Sequence, residues 1–191
     1  MDDAEYLKLI ARGETQHVEF KERPSGKNER KICAEIAAFA STGGGALFIG
    51  VADDATIVGL SEDDAQILSA KLEGWIAELV QPQPKWSSDV RTFHGKRVLI
   101  VTVNAGVDPI HYYNGRPYHR VGTTSRPANA AEVKDRFLRW SIRDDMQRTV
   151  SGSTAAAIYG QGELATMSYD TIRDRLCEEF PILRQSQIGT S

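Results

Sequence analysis

Charged residues close to the N-terminus have the types and the spacing of a site that handles phosphates. Glu19 and Lys21 lie two positions apart, and the apolar Val18 and Phe20 alternate with them. Successive side chains of a β-strand point to opposite faces, so a strand here places Glu19 and Lys21 on one face. Glu14 lies five residues before Glu19, at the entrance of the predicted strand. A bend at that point would bring Glu14 to the same side.

A third carboxylate follows the next apolar run. Residues 46–51 predict a buried strand, and Asp53 and Asp54 come soon after it. The spacing leaves open which of these two belongs to the site. Converging carboxylates suit Mg²⁺ or Mn²⁺, which could activate water against a phosphodiester while Lys21 assists at the phosphoryl oxygens. The alternative interpretation is a surface ion pair between Glu19 and Lys21 and an ordinary turn at Asp53.

A second polar segment, residues 118–126, ends a predicted strand and carries groups that bond phosphate oxygens. Its neighbouring aromatic residues offer stacking faces for bases or else belong to the core: Tyr112, Tyr113 and Tyr118. The residues that we predict to bind nucleic acid are Arg120, Thr123, Thr124, Arg126, Arg116, Lys96 and Arg97.

The remaining pattern predicts the elements that must position these residues. Helical spacing indicates helices over residues 4–12, 31–40, 61–79 and about 130–149, with a short one over 168–180. Strands are predicted at 14–21, 46–51, 56–60, 86–93, 96–103, 110–113 and 117–121, and His94-Gly95 and Asn114-Gly115 predict hairpin turns. The fold class is therefore α+β, a mixed, mainly antiparallel sheet with flanking helices. We expect one domain over residues 1–148 and a linker with a short helical extension over 149–191.

Charge is distributed unevenly along the chain. The 191 residues carry a net charge of −3. Residues 85–143 alone hold 11 Lys and Arg against 4 Asp and Glu, whereas residues 1–84 hold 8 against 15. Blocks of opposite sign can attract each other within a fold. They can also form a basic surface for phosphates beside an acidic site.

Several classes of protein are not expected. The apolar runs are too short to cross a bilayer, and the acidic N-terminus lacks the pattern of a secretory signal. The two cysteines, Cys33 and Cys177, are neither a disulfide framework nor a zinc motif. Residues 42–46 lack the pattern of a phosphate-binding loop, so no ATP site is expected. These features predict a cytoplasmic protein without a membrane segment.

Taken in order, the motifs resemble the Schlafen AlbA-type domain over about residues 5–140. They are Glu14-x4-Glu19-Phe-Lys21, Ala-Phe-Ala-Ser-Thr-Gly-Gly-Gly at 38–45, Leu-Phe-Ile-Gly-Val at 47–51 and Tyr-His-Arg-Val-Gly-Thr-Thr at 118–124. In bacteria and archaea that family is described as a DNA-binding domain, and in vertebrates it resembles the core of a metal-dependent endoribonuclease that cleaves tRNA. The resemblance implies that Glu14, Glu19 and Asp53 are catalytic carboxylates that bind Mg²⁺ or Mn²⁺. It also implies a catalytic role for Lys21. The vertebrate zinc ligands have no counterpart here, so zinc is not expected.

Two functions follow as hypotheses. The first is a metal-dependent endoribonuclease of Schlafen type that acts on structured RNA, with tRNA favoured over DNA. The second is a non-catalytic DNA- or RNA-binding module of the transcriptional-regulator type. We also expect a homodimer, because the longer family members place two lobes in one chain and this chain has one. The apolar side chains of the helix from residue 130, namely Val133, Phe137, Trp140 and Ile142, are its expected seam.

Overall fold

The computed structural model describes residues 1–23 and 30–151, with side chains placed through residue 141. Its helices are α1 (Asp3–Arg12), α2 (Ile32–Ser41), α3 (Glu62–Leu79) and α4 (Ala130–Ser151). Its strands are β1 (Val18–Lys21), β2 (Gly44–Ile49), β3 (Val80–Gln81), β4 (Trp86–Phe93), β5 (Lys96–Asn104), β6 (His111–Tyr113), β7 (Arg116–Val121) and β8 (Thr124–Pro127). The predicted α+β class is confirmed, but the strands form two four-stranded sheets rather than one.

The first sheet has the strand order β1-β2-β5-β4 and carries apolar side chains on both faces. β1 pairs with β2 in parallel, and the other pairs are antiparallel. One face packs against α1 through Tyr6 and Ile10, which contact Phe20 and Phe48 within one apolar cluster. The opposite face packs against α2 and α3. Because side chains alternate along β1, Val18 and Phe20 face α1, whereas Glu19 and Lys21 face the α2 side.

The second sheet has the order β3-β6-β7-β8, with antiparallel pairing throughout. The hairpin predicted from Asn114-Gly115 joins β6 and β7, and a second short turn at residues 122–123 joins β7 and β8. Strand β8 was not predicted, because its four residues are polar or proline and show no alternation. Its pairing places Arg120 opposite Ser125.

Helix α2 lies against both sheets, and all of its residues except Glu35 are buried. A tight turn after α2 leads directly into β2. Gly44 has φ +84°, and a Cβ atom on Gly45 would lie 2.2 Å from the Phe39 ring. The glycines at 43–45 are therefore required by this turn and by close packing.

The predicted starts of two helices are confirmed, and one predicted strand is corrected. Ser61 accepts a hydrogen bond from the Asp64 N–H at the start of α3, and Asn129 and Glu132 form a reciprocal capping box at the start of α4. The short strand expected at residues 56–60 is wrong, because only isolated bridges at Ile57 and Leu60 form there. The linker and helix predicted beyond residue 151 lie outside the described residues.

Contacts between Cα atoms divide the chain into two units, Met1–Phe137 and Leu138–Ser191. The site described below lies within the first unit. No helix among the described residues has the length and the apolarity that a membrane span requires.

A buried charge network at the candidate nucleic-acid site

Strand β1 places Glu19 and Lys21 on the face opposite Val18 and Phe20, as predicted. Glu19 is 6% exposed, and its carboxylate receives one cation on each oxygen. Lys21 Nζ donates to Oε1, and Arg120 Nη2 lies 2.9 Å from Oε2. Glu19 is thus a buried carboxylate with two ion-pair partners rather than half of a surface pair.

Arg120 connects the second sheet to the first. It extends from β7, and its side chain has no exposed surface. Nη1 donates to Glu35 Oε2 and to Ser125 Oγ, each at 3.0 Å. Nη2 also donates to the backbone carbonyls of Thr15 at 2.9 Å and Thr123 at 3.0 Å. The guanidinium carbon lies 4.6 Å from the centroid of the Phe39 ring, in a cation–π contact.

The burial of Arg120 corrects the expectation that this residue contacts phosphate at the surface. Its donors are directed inward, and its Nε has no hydrogen-bond partner among the described residues. A fork with several donors can satisfy two carboxylates and several carbonyls at once, which explains why an arginine occupies this position. Arg120 therefore positions the turn at residues 122–123 from beneath, through its bonds to Thr123 and Ser125.

Glu35 belongs to the same network and was missed by the sequence analysis. The signal was available, because Glu35 is the single charged residue in the otherwise apolar sequence of α2. Burial and the nearby charge of Glu19 raise the pKa of Glu35, against the opposing effect of Ser125, Lys21 and Arg120. For Lys21, burial acts to lower the pKa, but the hydrogen bond to Glu19 and the charges of Glu19, Glu35 and Glu14 raise it overall.

Glu14 and Asp53 occupy different environments from Glu19. Glu14 Oε1 accepts a hydrogen bond of 3.0 Å from the Phe20 N–H, so it lies beside β1 as expected. Asp53 lies exposed in the turn after β2, and the neighbouring Asp54 accepts a 2.9 Å bond from the Thr56 N–H. Within residues 1–23 and 30–141, no three His, Cys, Asp or Glu side chains are arranged to hold a metal ion. As placed, Glu14, Glu19 and Asp53 do not fit a divalent cation.

The other residues predicted to bind nucleic acid lie nearer the surface, and several are engaged with the protein itself. Arg97 pairs with Glu62 at 2.9 Å, and Lys96 donates to the Ile57 carbonyl at 2.7 Å. Arg126 bonds Glu132 through both terminal nitrogens. That contact and the Asn129 N–H lower the pKa of Glu132 to about 2.

Three of the residues predicted to bind nucleic acid are exposed, either beside the buried charge network or farther from it. Thr123 and Thr124 are exposed at the turn between β7 and β8, and Arg116 is exposed at the start of β7. Gly122 has φ +61°, which lets the chain reverse at this turn. The turn therefore presents two hydroxyl groups to solvent directly above Arg120.

Tyr113 and Tyr118, near the second hairpin, do not form an open stacking platform. Tyr113 and Tyr118 contact each other edge to face, with ring centroids 5.6 Å apart, and both pack against the main core cluster. The core alternative considered from the sequence is the one that the structure supports for this pair.

Comparison with known proteins assigns this chain to a family. The family model described as Schlafen, AlbA_2 matches residues 14–129, which include Glu14, Glu19, Lys21, Glu35 and Arg120. The chain belongs to the Schlafen, AlbA_2 family. This membership indicates a nucleic-acid-binding domain, and it confirms the resemblance seen in the sequence motifs.

Two solved structures are similar to this Schlafen, AlbA_2 domain. One is the DIP2311 protein from Corynebacterium diphtheriae, at 28% identity and a TM-score of 0.48, with 63% of this chain and 23% of that chain covered. The chain thus spans about a quarter of that protein. The other is the N-terminal domain of an ATP-dependent DNA helicase RecG-related protein from Nitrosomonas europaea, at 18% identity and a TM-score of 0.43, with 68% and 95% covered. No curated protein matches the chain.

Proposed function

We propose that this domain binds nucleic acid through the phosphate backbone, at the surface formed by Lys21 and the turn at residues 122–124. The observation that carries the proposal is the pair of hydrogen bonds that the buried Arg120 side chain donates to Thr123 and Ser125, at this turn. A turn held in place pays little ordering entropy when it binds a ligand. Family membership supports the same class of ligand.

The chemistry of this surface suits phosphate. Lys21 keeps 38% of its side chain exposed while one donor goes to Glu19, which leaves the other donors of the ammonium for a ligand. The exposed hydroxyls of Thr123 and Thr124 can donate to phosphate oxygens. None of these groups reads a base edge, so we expect weak dependence on sequence and strong dependence on salt.

Fluorescence anisotropy with a labelled RNA hairpin and the DNA of the same sequence tests this surface. We expect the double change Thr123→Val and Thr124→Val to weaken binding at every salt concentration. The matched control is Thr92→Val, an exposed threonine on β4 at the opposite edge of the first sheet from β1. Equal affinity of the double variant and the control would exclude the turn from the interface. We expect tighter binding of RNA than of DNA.

The second candidate is a metal-dependent endoribonuclease that cuts structured RNA such as tRNA. This candidate is favoured by three carboxylates around Lys21, because the negative charges of Glu19, Glu35 and Glu14 all raise the pKa of its ammonium. The arrangement of Glu14, Glu19 and Asp53 described above does not hold a cation, so we derive no step through one. Incubation of tRNA, ribosomal RNA and DNA with Mn²⁺ or with chelator is the test. Cleavage that needs Mn²⁺ and disappears in Glu19→Gln would establish this second function.

We also propose a homodimer formed through the start of α4. Phe137 is 43% exposed there, which is unusual for a large aromatic side chain, and Val133 lies half-buried one turn earlier. Light scattering at micromolar concentration should give about twice the 21.1 kDa of one chain. A mass of one chain, unchanged by added RNA, would exclude the dimer.

A further inference from the structure

We propose that the outer edge of strand β4 pairs with the β4 edge of a second copy of this chain, which joins the first sheets of two copies into one. Strand β4 ends the order β1-β2-β5-β4, and within residues 1–23 and 30–151 it pairs with β5 alone. It runs for eight residues. An edge strand presents backbone N–H and C=O groups that another strand can pair with.

The opposite edge of the same sheet is closed by side chains of the chain itself. Glu14 accepts the N–H of Phe20 on β1 at 3.0 Å. Arg120 donates to the backbone carbonyls of Thr15 and Val18 at 2.9 and 3.4 Å. Because these groups of β1 are already bonded, a further strand can join this sheet at β4 and not at β1.

The hydrogen bonds to β5 determine which backbone groups of β4 point outward. The Asn104 N–H donates to the Lys85 carbonyl at 2.9 Å, and in an antiparallel pair the bonded residues alternate. The odd-numbered residues of β4 therefore bond β5. The even-numbered residues direct their N–H and C=O groups to the outer edge, and these are Trp86, Ser88, Val90 and Thr92. A second antiparallel strand must bond at these positions.

Charge selects one register for this pairing. Asp89 and Arg91 are the charged residues of β4. A two-fold axis at Val90 places Asp89 of each copy opposite Arg91 of the other, and opposite charges facing each other across strands are favourable. The neighbouring registers, centred on Asp89 or on Arg91, would bring like charges together.

The side chains around Val90 suit this register. Arg91 Nε lies 2.6 Å from Asp89 within one chain, so the two copies together form a quartet in which each carboxylate has two arginine neighbours. Val90 is 39% exposed on the other face of the strand, and it would lie beside its counterpart. A strand that carries one charge of each sign on either side of an exposed valine is thus complementary to itself.

The contact is small, so we expect it at high protein concentration. One short strand a side is little against the roughly 20–30 residues a side of a stable interface, which predicts half-association at about 0.1–1 mM. That range lies above the micromolar concentration at which the dimer through α4 is tested. The contact at β4 needs neither the contact at α4 nor a nucleic acid.

Sedimentation equilibrium of the full chain at up to about 1 mM tests the pairing. Every chain carries Phe137→Ser, which removes the aromatic side chain proposed for the contact at α4, so a mass above one chain reports β4. The variants added to this parent chain are Asp89→Lys and Arg91→Glu, alone and mixed in equal amounts. Glu73→Lys, on the exposed side of α3, is the matched change of charge.

We expect the parent chain and the Glu73→Lys chain to associate equally. Each β4 variant alone should associate about tenfold more weakly, because like charges then face each other at two places. The mixture should recover at least the strength of the parent chain, because each variant then meets its opposite charge. Loss of a merely structural contact within one chain would not be restored by mixing.

A cross-link provides a second measurement. The proposed register places Val90 opposite itself in a bonded pair, with Cα atoms about 5.5 Å apart, which is within the range of a disulfide. In a Cys177→Ser chain, Val90→Cys should form a linked dimer with oxidised glutathione, whereas Val58→Cys, at another exposed valine, should not. Cys33 does not compete, because burial raises the pKa of its thiol to about 12.

Three results would overturn the proposal. The first is a parent chain that keeps the mass of one chain at every concentration. The second is an equimolar mixture that associates no better than its two folded components. The third is equal cross-linking of the Val90→Cys and Val58→Cys chains. Failure of nucleic-acid binding, or of the dimer through α4, changes none of these readouts.

Discussion

Replacing Arg120 with methionine should destabilise the domain far more than it alters any surface. Methionine keeps an unbranched apolar stem against Phe39 but removes the whole guanidinium. Glu19 then retains Lys21 as its ion-pair partner, whereas Glu35 loses its bond to Arg120. The carbonyls of Thr15 and Thr123 lose donors at the same time.

The size of this loss follows from the burial of the groups left behind. Glu19 is 6% exposed and the Glu35 side chain 17%, so water replaces little of what Arg120 supplied. Removing one partner of a buried ion pair typically costs about 3–5 kcal/mol of unfolding free energy. With a urea slope of about 2 kcal/mol per molar, the unfolding midpoint should fall by about 1.5–2.5 M.

Equilibrium unfolding in urea, followed by tryptophan fluorescence, measures the shift. Arg126→Met is the matched control, because Arg126 also pairs with a carboxylate but keeps 41% of its side chain exposed. We expect a much smaller shift for the control. Adding Glu19→Gln to Arg120→Met should recover part of the loss, since an uncharged amide tolerates burial better. Equal midpoints for the Arg120 and Arg126 variants would refute the structural role assigned to Arg120.

Two further predictions concern stability. Gly106→Ala should destabilise the domain by about 1–3 kcal/mol, because a Cβ atom there would lie 2.1 Å from the His111 ring. Gly74→Ala, on the open face of α3, should instead stabilise the domain by about 0.5–1 kcal/mol. Thermal unfolding of both variants tests this pair of predictions. Burial lowers the pKa of His111, although the charge of Asp108 opposes this shift. Burial also lowers the pKa of His119. The charge of Glu132 opposes that second shift, and the charges of Arg136 and Arg126 add to it. The unfolded chain therefore binds more protons below about pH 6.5, so unfolding free energy should fall as the pH falls through this value. A urea midpoint that stays constant between pH 7 and pH 5.5 would contradict this linkage.

The local elements around the site could be predicted because their signals are short-range. Alternation placed Glu19 and Lys21 on one face of β1, and the Asn114-Gly115 pair defined a hairpin. The split into two sheets could not be predicted in the same way. It depends on which strands pair, and pairing between distant strands is set by packing around α2 rather than by any single stretch of sequence.

Arg120 and Glu35 show why the site itself was only partly predicted. A basic residue before Gly-Thr-Thr resembles a surface phosphate contact in sequence, and nothing local distinguishes it from a buried one. The distinction arises because Glu35, 85 positions away, and Glu19, 101 positions away, meet Arg120 in space. The sequence feature that indicates a buried ion pair is a single charged residue within an apolar helix, since an unpaired carboxylate is rarely buried.

The network also links the surface proposed for nucleic acid to the packing of the whole first unit. Thr42 accepts the Arg120 backbone N–H at 3.0 Å and lies 3.4 Å from Arg136 Nη2, so the end of α2 connects β7 to α4. Arg136 Nη1 also donates to the carbonyl of Ser41, where the helix dipole favours a cation. The turn at residues 122–123 therefore rests on Arg120, and Arg120 rests on both sheets and on α2. A binding surface supported in this way keeps its shape before the ligand arrives, and this preorganisation is what a contact based on phosphate geometry requires.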